Sequence, residues 1–175
     1  LLLELFGEEI PARMQARAAE DLKRLVCNGC RGANLPFETA KAYVTPRRLI
    51  LRITGLPKAQ PDAREEIRGP KVDAPDKAIQ GFLQGNGVSR DQCEERELAN
   101  GVFLYAIIKH QGRPTTEVLA EILPKVFGDL PWPKSMRWGS GATRWIRPLH
   151  SILVLFDGTV VPLTFAGINS GIQTQ

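Results

Sequence analysis

The sequence predicts an α+β fold with antiparallel-rich mixed sheets and about three main helices. Apolar residues recur every three to four positions in residues 9–27 and 115–127, as they do on one face of a helix. In residues 48–54 they alternate with polar residues, the pattern of a strand with one buried face. Tight turns suited to hairpins, Asn-Gly at 100–101 and Asp-Gly at 157–158, indicate that neighbouring strands run antiparallel.

Length and composition indicate an ordered protein of one ordinary domain or two small ones. The chain has 175 residues, of which 43% are apolar and 24% charged, enough to bury a core and too apolar for disorder. Its longest apolar runs, such as residues 152–156, are far too short to span a bilayer, so we expect no membrane segment or secretory leader. Because the chain lacks an initial methionine and stops within a polar stretch, we expect it to be a piece of a longer protein.

The first third predicts a strand, a helix and two further strands. Residues 1–6 are typical of a short buried strand. A helix over residues 9–27 follows, with Pro11 in its first turn, where the missing N–H costs nothing. After a loop, residues 43–44 and 48–54 form strands on either side of a Thr-Pro corner.

The middle third predicts a connection, a helix and a hairpin. Residues 60–75 are polar, charged and proline-bearing, so we expect an exposed connection, with a domain sub-boundary somewhere in residues 57–75. A short helix over residues 76–84 should follow. Residues 94–98 and 102–109 then pair about the Asn-Gly turn.

The last third predicts a helix and a second hairpin. The helix covers residues 115–127, and a threonine cap would satisfy its first free N–H groups. The hairpin joins residues 149–156 to residues 159–165.

The cysteines predict no disulfide framework. Their number, three, is odd, which favours a reducing compartment. Cys27 and Cys30 have the C-x-x-C spacing of a zinc or redox pair, but one distant cysteine and two distant histidines would have to complete a metal site. We therefore favour the interpretation in which Gly29 caps the first helix and the cysteines are structural.

Few residues could carry chemistry. His110 and His150 lack a serine, cysteine or acid at a spacing that suggests a relay, and no phosphate loop or nucleophile elbow is present. We expect this chain not to catalyse a reaction alone.

Two segments contain cations without any acidic residue, residues 39–61 and residues 130–156, in a chain of net charge +4. Arginine and lysine side chains there could bind the phosphates of an RNA. The candidate contacts are Arg47, Arg48, Lys134, Arg137, Arg144 and Arg147. The three tryptophans of the chain, Trp132, Trp138 and Trp145, lie in the second segment and either stack on bases or anchor the core.

Several blocks along the chain are long and unusual in composition. They are residues 1–13, Thr-Pro-Arg-Arg-Leu at 45–49, Gly-Pro at 69–70, Gly-Phe at 81–82, residues 127–133 leading into Lys-Ser-Met-Arg-Trp-Gly at 134–139, Arg-Trp-Ile-Arg-Pro-Leu-His at 144–150 and Leu-Phe-Asp-Gly at 155–158. Together and in this order they resemble the N-terminal part of the beta subunit of bacterial glycine–tRNA ligase. One departure from that pattern is Phe6-Gly7, where the family usually has Gly-Thr.

The resemblance implies a cytoplasmic enzyme of two alpha and two beta subunits that joins glycine to tRNA(Gly), with cleavage of ATP to AMP and pyrophosphate. It places the ATP, magnesium and glycine sites in the alpha subunit, so no cofactor is expected in this chain. The implied partners are the alpha subunit, tRNA(Gly) and the rest of the beta subunit, but neither DNA nor a membrane. Whether the basic segments contact tRNA or serve assembly alone stays open at this point.

Overall fold

A computed structural model describes residues 1–137 and 143–174. The chain divides into two compact units, the first formed by Leu1–Gln60 and Arg113–Gln175 and the second by Pro61–Gly112. Among the described residues, no helix combines the length and the apolar character needed to cross a membrane.

Both units mix strands and helices, which confirms the predicted α+β class. In chain order the elements of the first unit before the second begins are β1 (Leu2–Gly7), α1 (Ala12–Gly32), β2 (Thr39–Thr45) and β3 (Arg48–Thr54). The second unit contains β4 (Ala63–Lys71), α2 (Asp76–Asn86), β5 (Cys93–Leu98) and β6 (Gly101–His110). The first unit then resumes with α3 (Thr115–Gly128), β7 (Met136–Arg137), β8 (Arg144–Trp145), β9 (Leu149–Phe156), β10 (Thr159–Val160), β11 (Thr164–Phe165) and β12 (Ile168–Gly171).

A seven-stranded sheet organises the first unit around β1. Its strand order is β11, β12, β9, β1, β3, β2, with β10 also paired to β9, and only the pairing of β12 with β9 is parallel. Leu3 lies opposite Leu51 on one side and Val154 on the other, and all three side chains are fully buried. Since β1 is central, its buried apolar side chains set the register of both neighbours.

The core of the first unit forms between this sheet and the helices α1 and α3, which pack on each other. Apolar residues at helical spacing, such as Leu22 and Val26 of α1 and Leu119 and Leu123 of α3, are fully buried. Phe127 is also fully buried and meets Phe165 edge to face, with ring centres 5.4 Å apart. The periodicity that predicted two amphipathic helices thus reports their buried faces.

The second unit is a three-stranded antiparallel sheet, in the order β4, β6, β5, with α2 packed on it. Leu104 and Ala106 of β6 are buried, as is Ile79 of α2. A Cβ atom at Gly69 would lie 2.6 Å from the ring of Phe82, so glycine is what lets α2 lie close to β4.

One predicted connection is wrong, because Ala63–Lys71 is the strand β4 rather than an exposed linker. Its sequence shows little apolar alternation, since charged side chains occupy both faces at its N-terminal end. Backbone pairing with β6 and cross-strand ion pairs hold it instead, as when Arg64 contacts Glu94 at 2.6 Å. Pro70 lies where the register shifts between Arg68 and Lys71, at an irregularity that tolerates a residue without an N–H.

Three local predictions are also corrected. Gly29 does not cap α1, because the helix continues to Gly32. Gly29 instead lies inside the helix, where it faces Ile122 of α3. No threonine side chain caps α3, since the hydroxyl of Thr115 donates to the carbonyl of Pro57 at 2.6 Å. The predicted strand over residues 159–165 divides into the short strands β10 and β11.

Candidate RNA-binding surface

The turn between β2 and β3 holds two of the candidate arginines against one aromatic ring. The guanidinium carbons of Arg47 and Arg48 lie 4.7 and 4.6 Å from the centre of the Phe6 ring. Phe6 is buried at the end of β1 and lies directly opposite Arg48. The ring therefore supports both cations through cation–π contacts.

Arg47 is positioned through Nε, and its terminal N–H groups remain available as donors. It is exposed, and its Nε donates a hydrogen bond of 3.0 Å to the carbonyl oxygen of Gly7. The two terminal nitrogens have no acceptor among the described residues. Because the fork is held at Nε, those nitrogens can bind a phosphate without first losing an internal partner.

Arg48 differs because its charge is balanced within the fold. Its Nε lies 3.4 Å from a carboxylate oxygen of Glu4, and the two side chains are 30% and 10% exposed. Glu4 is thus a buried acid on β1, and it also accepts a hydrogen bond from Thr174. The segment around Arg48 lacks acids in sequence, but the pairing of strands brings one to it.

Arg47 and Arg147 line one open cleft of about 690 Å³ at the N-terminal end of α1. Pro11 precedes the helix there, and the first helical N–H groups carry the positive end of the helix dipole. Glu8 also lines the cleft, but it contacts Nε2 of His150 at 2.7 Å. That hydrogen bond lowers the pKa of Glu8 and so favours the ionised carboxylate beside the histidine.

Arg137 and Arg144 face each other directly across the two-stranded ribbon of β7 and β8. Both are exposed, and neither forms an ion pair with a carboxylate among the described residues. Nε of Arg144 donates to the hydroxyl of Ser135 at 3.1 Å. Like charges directly opposed on paired strands destabilise the pairing, so the two arginines lower the stability of this ribbon.

Arg147 joins the ribbon to the cleft. One of its terminal nitrogens lies 3.9 Å from the sulfur of Met136, which belongs to β7, while its side chain also lines the cleft with Arg47. Arg137 and Arg144 project from the ribbon on the face opposite to Met136, because successive residues of a strand point to opposite faces. We use the name arginine surface for the four residues Arg47, Arg137, Arg144 and Arg147.

Lys134 lies elsewhere. It borders a smaller cleft, about 250 Å³, between α1 and residues 130–134, together with Arg13 and Arg17. The walls of this cleft include the apolar side chains of Met14 and Trp132. Its character is amphipathic, unlike that of the arginine surface.

The described tryptophans belong to the core. Trp145 is 3% exposed and meets Trp132 and Phe165 edge to face, with ring centres 5.2 and 5.5 Å apart. Trp132 is half-buried, and its indole N–H has no acceptor among the described residues. These two indoles anchor the segment that carries the arginines, whereas Trp138 lies outside the described residues.

The C-x-x-C pair lies inside α1 rather than at an open site. Cys27 and Cys30 are both buried, and burial raises the pKa of both thiols, that of Cys30 to about 11. The described residues contain no group of three or more histidine, cysteine or acidic side chains that could hold a metal ion. Protonated, buried thiols have the character of core packing.

A family profile described as "Glycyl-tRNA synthetase beta subunit" matches residues 1–175. The chain belongs to this family. It is 55% identical over 178 residues to the glycine–tRNA ligase beta subunit of Ruegeria sp. (strain TM1040), covering 99% of this chain and 26% of that protein. The beta subunits of Cereibacter sphaeroides (strain ATCC 17023) and Phenylobacterium zucineum (strain HLK1) are each 52% identical, over 100% and 98% of this chain and 26% and 25% of theirs. The chain thus spans about a quarter of the length of these relatives.

In this member of the glycyl-tRNA synthetase beta subunit family, sequence reasoning missed the residues that position the cations. Phe6 contacts two arginines, whereas the sequence analysis placed it only in a buried strand and as a departure from the family pattern. Glu4, which balances Arg48, carried a usable signal, because a single acid within an apolar central strand requires a partner.

Proposed function

We propose that this chain is the N-terminal α+β region of the beta subunit of a heterotetrameric glycine–tRNA ligase, and that its arginine surface binds the phosphate backbone of tRNA(Gly). The observation that carries the second part is the direct opposition of Arg137 and Arg144 on an exposed ribbon. An anionic ligand bound between two cations that lack a carboxylate partner would relieve their repulsion. A phosphate of the RNA backbone, with its negatively charged non-bridging oxygens, suits that position.

Contact with phosphate groups also fits the way the other arginines are held. Arg47 is fixed at Nε by a backbone carbonyl and by a ring, so its terminal fork is ordered before a ligand arrives. Arg147 lies between the ribbon and the cleft. Such contacts fix where an RNA backbone lies without reading its bases, a role in placing tRNA rather than in selecting its sequence.

The complete enzyme, in this proposal, attaches glycine to tRNA(Gly) in the cytoplasm with ATP and magnesium bound in the alpha subunit. This chain contributes no catalytic group and no cofactor. Its share is to hold tRNA while the alpha subunit performs the chemistry, and its protein partners are the alpha subunit and the rest of the beta subunit.

Titration of the chain with tRNA(Gly) tests the proposal. The Arg137→Gln/Arg144→Gln double variant should weaken binding by roughly tenfold or more at low salt and should reduce the salt slope of log K by about 1 to 2, one for each lost phosphate contact. Arg31→Gln is the matched control. Arg31 is exposed at the far end of α1, roughly 30 Å from the cleft by the rise of a helix, and its loss should change affinity by less than about twofold.

An unchanged salt slope in the double variant, or an equal loss in Arg31→Gln, would show that the arginine surface is not the binding site. Thermal melting of each variant establishes that a lost affinity is not lost folding. Because the two glutamines replace exposed side chains, we expect folding to survive.

A second candidate function, assembly with the alpha subunit, is favoured by the cleft that Lys134 borders. Apolar walls with cations at the rim suit an acidic protein segment better than they suit a phosphate chain. Titration with the alpha subunit separates the two functions: Lys134→Glu should weaken alpha binding and spare tRNA, whereas the Arg137→Gln/Arg144→Gln variant should do the reverse.

A further inference from the structure

The second unit presents an open sheet face that sequence reasoning did not single out. In antiparallel strands, directly paired residues project to the same face and successive residues to opposite faces. Leu104 and Ala106 of β6 are buried on the face that α2 covers, where Phe82 lies against Gly69. Phe103 and Tyr105 therefore project to the opposite face, and both are partly exposed.

Cations surround these two rings. Arg96 is paired with Phe103, and Arg68 with Tyr105, so all four side chains share the open face. The guanidinium carbon of Arg68 lies 4.1 Å from the centre of the Phe103 ring, and that of Arg96 lies 4.9 Å from the centre of the Tyr105 ring. Lys71 adds a third cation, 5.9 Å from the Phe103 ring. The face thus carries aromatic rings and guanidinium groups, together with the carboxylates of Glu66 and Glu94 that bind Arg96.

The cations on this face differ in their partners. Arg96 binds Glu66 through two hydrogen bonds of 2.7 Å and also contacts Glu94 at 3.1 Å. Arg68 and Lys71 are exposed and form no ion pair with a carboxylate among the described residues. Arg96 is therefore locked over Tyr105, whereas the charges near Phe103 are available to a ligand.

We propose that this face, formed by Arg68, Lys71, Arg96, Phe103 and Tyr105, binds unpaired nucleotides of an RNA. The proposal rests on the proposed function only in taking the partner of the complete protein to be an RNA. Bases stack on aromatic rings and on guanidinium planes, and Arg68 and Lys71 provide the charge that a phosphate chain requires. Phe103 and Tyr105 are two residues apart on one strand, a separation of about 6.7 Å, so one base can stack on Phe103 and the next on the guanidinium plane of Arg96 above Tyr105.

The same features exclude a helical RNA as the preferred ligand of this face. Bases inside a duplex are stacked on each other and do not offer their flat faces to side chains. Two exposed rings on a sheet have no advantage on a duplex, whose phosphates could be held by cations alone. The face therefore complements the arginine surface, which the proposed function assigns to phosphates.

Fluorescence anisotropy with a labelled, unstructured pyrimidine RNA of about ten nucleotides, titrated with the whole chain at low salt, tests the inference. Phe103→Leu should weaken binding roughly fivefold to a hundredfold, the range for loss of one stacked base, and should leave the salt slope unchanged. Arg68→Gln should weaken binding about fivefold or more and reduce the salt slope by about 0.7, the value for one phosphate of a single strand.

Arg90→Gln is the matched control, because Arg90 is an exposed cation of the same unit on the other side of the sheet. Its charge is felt by Cys93, which is paired with Ala106 on the face that α2 covers. This variant should change affinity by less than about twofold. The inference is overturned if the parent chain does not bind the oligonucleotide, if Arg90→Gln and Arg68→Gln weaken binding equally, or if a duplex of the same length competes as well as the unpaired strand. Should Phe103→Leu fail to fold, Arg68→Gln still decides, since its side chain is exposed.

The arginine surface enters this experiment as a separate arm. The Arg137→Gln/Arg144→Gln variant should retain the effects of Arg68→Gln and Phe103→Leu on the oligonucleotide. Loss of tRNA binding with the oligonucleotide effects retained supports both proposals. Retained tRNA affinity in that variant overturns only the proposed function, and absent oligonucleotide effects overturn only the inference about the sheet face.

Discussion

Replacement of Arg144 by glutamate should make the chain more stable while weakening its binding to tRNA. Arg144 lies directly opposite Arg137, so the change converts a repulsive cross-strand pair into an attractive one. In most surface positions a lost ligand contact leaves stability unchanged. Opposite signs for stability and affinity are what a functional like-charge pair requires.

The magnitude follows from the geometry of the ribbon. Opposed Cβ atoms lie about 5 Å apart, and we take about 7 Å between the charged ends of the two exposed side chains. Two unit charges at that distance in water interact by about 0.6 kcal/mol, of which screening leaves about 0.25 kcal/mol at 0.15 M salt. Reversing one sign counts this twice, so the free energy of unfolding should rise by about 0.5 kcal/mol at 0.15 M salt, about 1 kcal/mol at 0.01 M and about 0.1 kcal/mol at 1 M.

Four proteins measure the effect: the parent, Arg144→Glu, Arg137→Glu and the double variant, each unfolded in urea at the three salt concentrations. The single variants should be the most stable, while the parent and the double variant, which both oppose like charges, should be alike. Affinity for tRNA should follow another order, highest in the parent, lower by about tenfold in each single variant and lowest in the double variant. The reasoning is refuted if the single variants gain no stability at low salt, or if their gain does not shrink as salt rises.

Two further predictions concern α1. Cys27 and Cys30 are buried and should resist labelling by a thiol reagent at pH 8 in the native chain. Burial raises the pKa of all three thiols, but Cys93 is partly exposed and should react faster than the other two. Equal labelling of all three before unfolding would contradict this. At Gly29 a Cβ atom would meet α3 at an ordinary 3.4 Å, so Gly29→Ala should raise the free energy of unfolding by about 0.5 to 1 kcal/mol through helix propensity. Gly29→Leu should lower it by about 1 to 3 kcal/mol through overpacking, and urea unfolding of both variants measures the two signs.

The sequence predicted the longer elements whose apolar residues recur on one face, and it missed β4 together with the short strands β7, β8 and β12. Strand β3 alternates buried Leu49, Leu51 and Ile53 with less buried residues, and that pattern is visible in the residues themselves. Strand β4 has no such pattern, since its pairing depends on the backbone and on ion pairs such as Arg64 with Glu94. Alternation reports burial, so a strand held mainly by its neighbours gives no signal.

The candidate site was predictable in its residue types but not in its charge balance. Absence of acids along a segment says nothing about acids that another strand contributes, as Glu4 does to Arg48. Conversely, nothing in the residue pattern indicates that Arg137 and Arg144 are directly opposed, because that depends on how the ribbon pairs. Local composition therefore finds basic segments, while pairing decides which cations stay available to a ligand.

Gly7, at the end of β1, lies between Arg47 and Arg147. A substitution at Gly7 should therefore change the positions of these arginines without changing the charge of the surface. Gly7 accepts the hydrogen bond of Arg47, and a Cβ atom on Gly7 would lie 2.7 Å from the carbonyl oxygen of Pro148, next to Arg147. Gly7→Ala must therefore shift that backbone while it keeps every cation. We expect weaker tRNA binding, by about threefold to tenfold, with an unchanged salt slope, in contrast to Arg147→Gln, which should lower both. If Gly7→Ala bound tRNA as tightly as the parent, the relative placement of Arg47 and Arg147 would not matter, and only their charges would act.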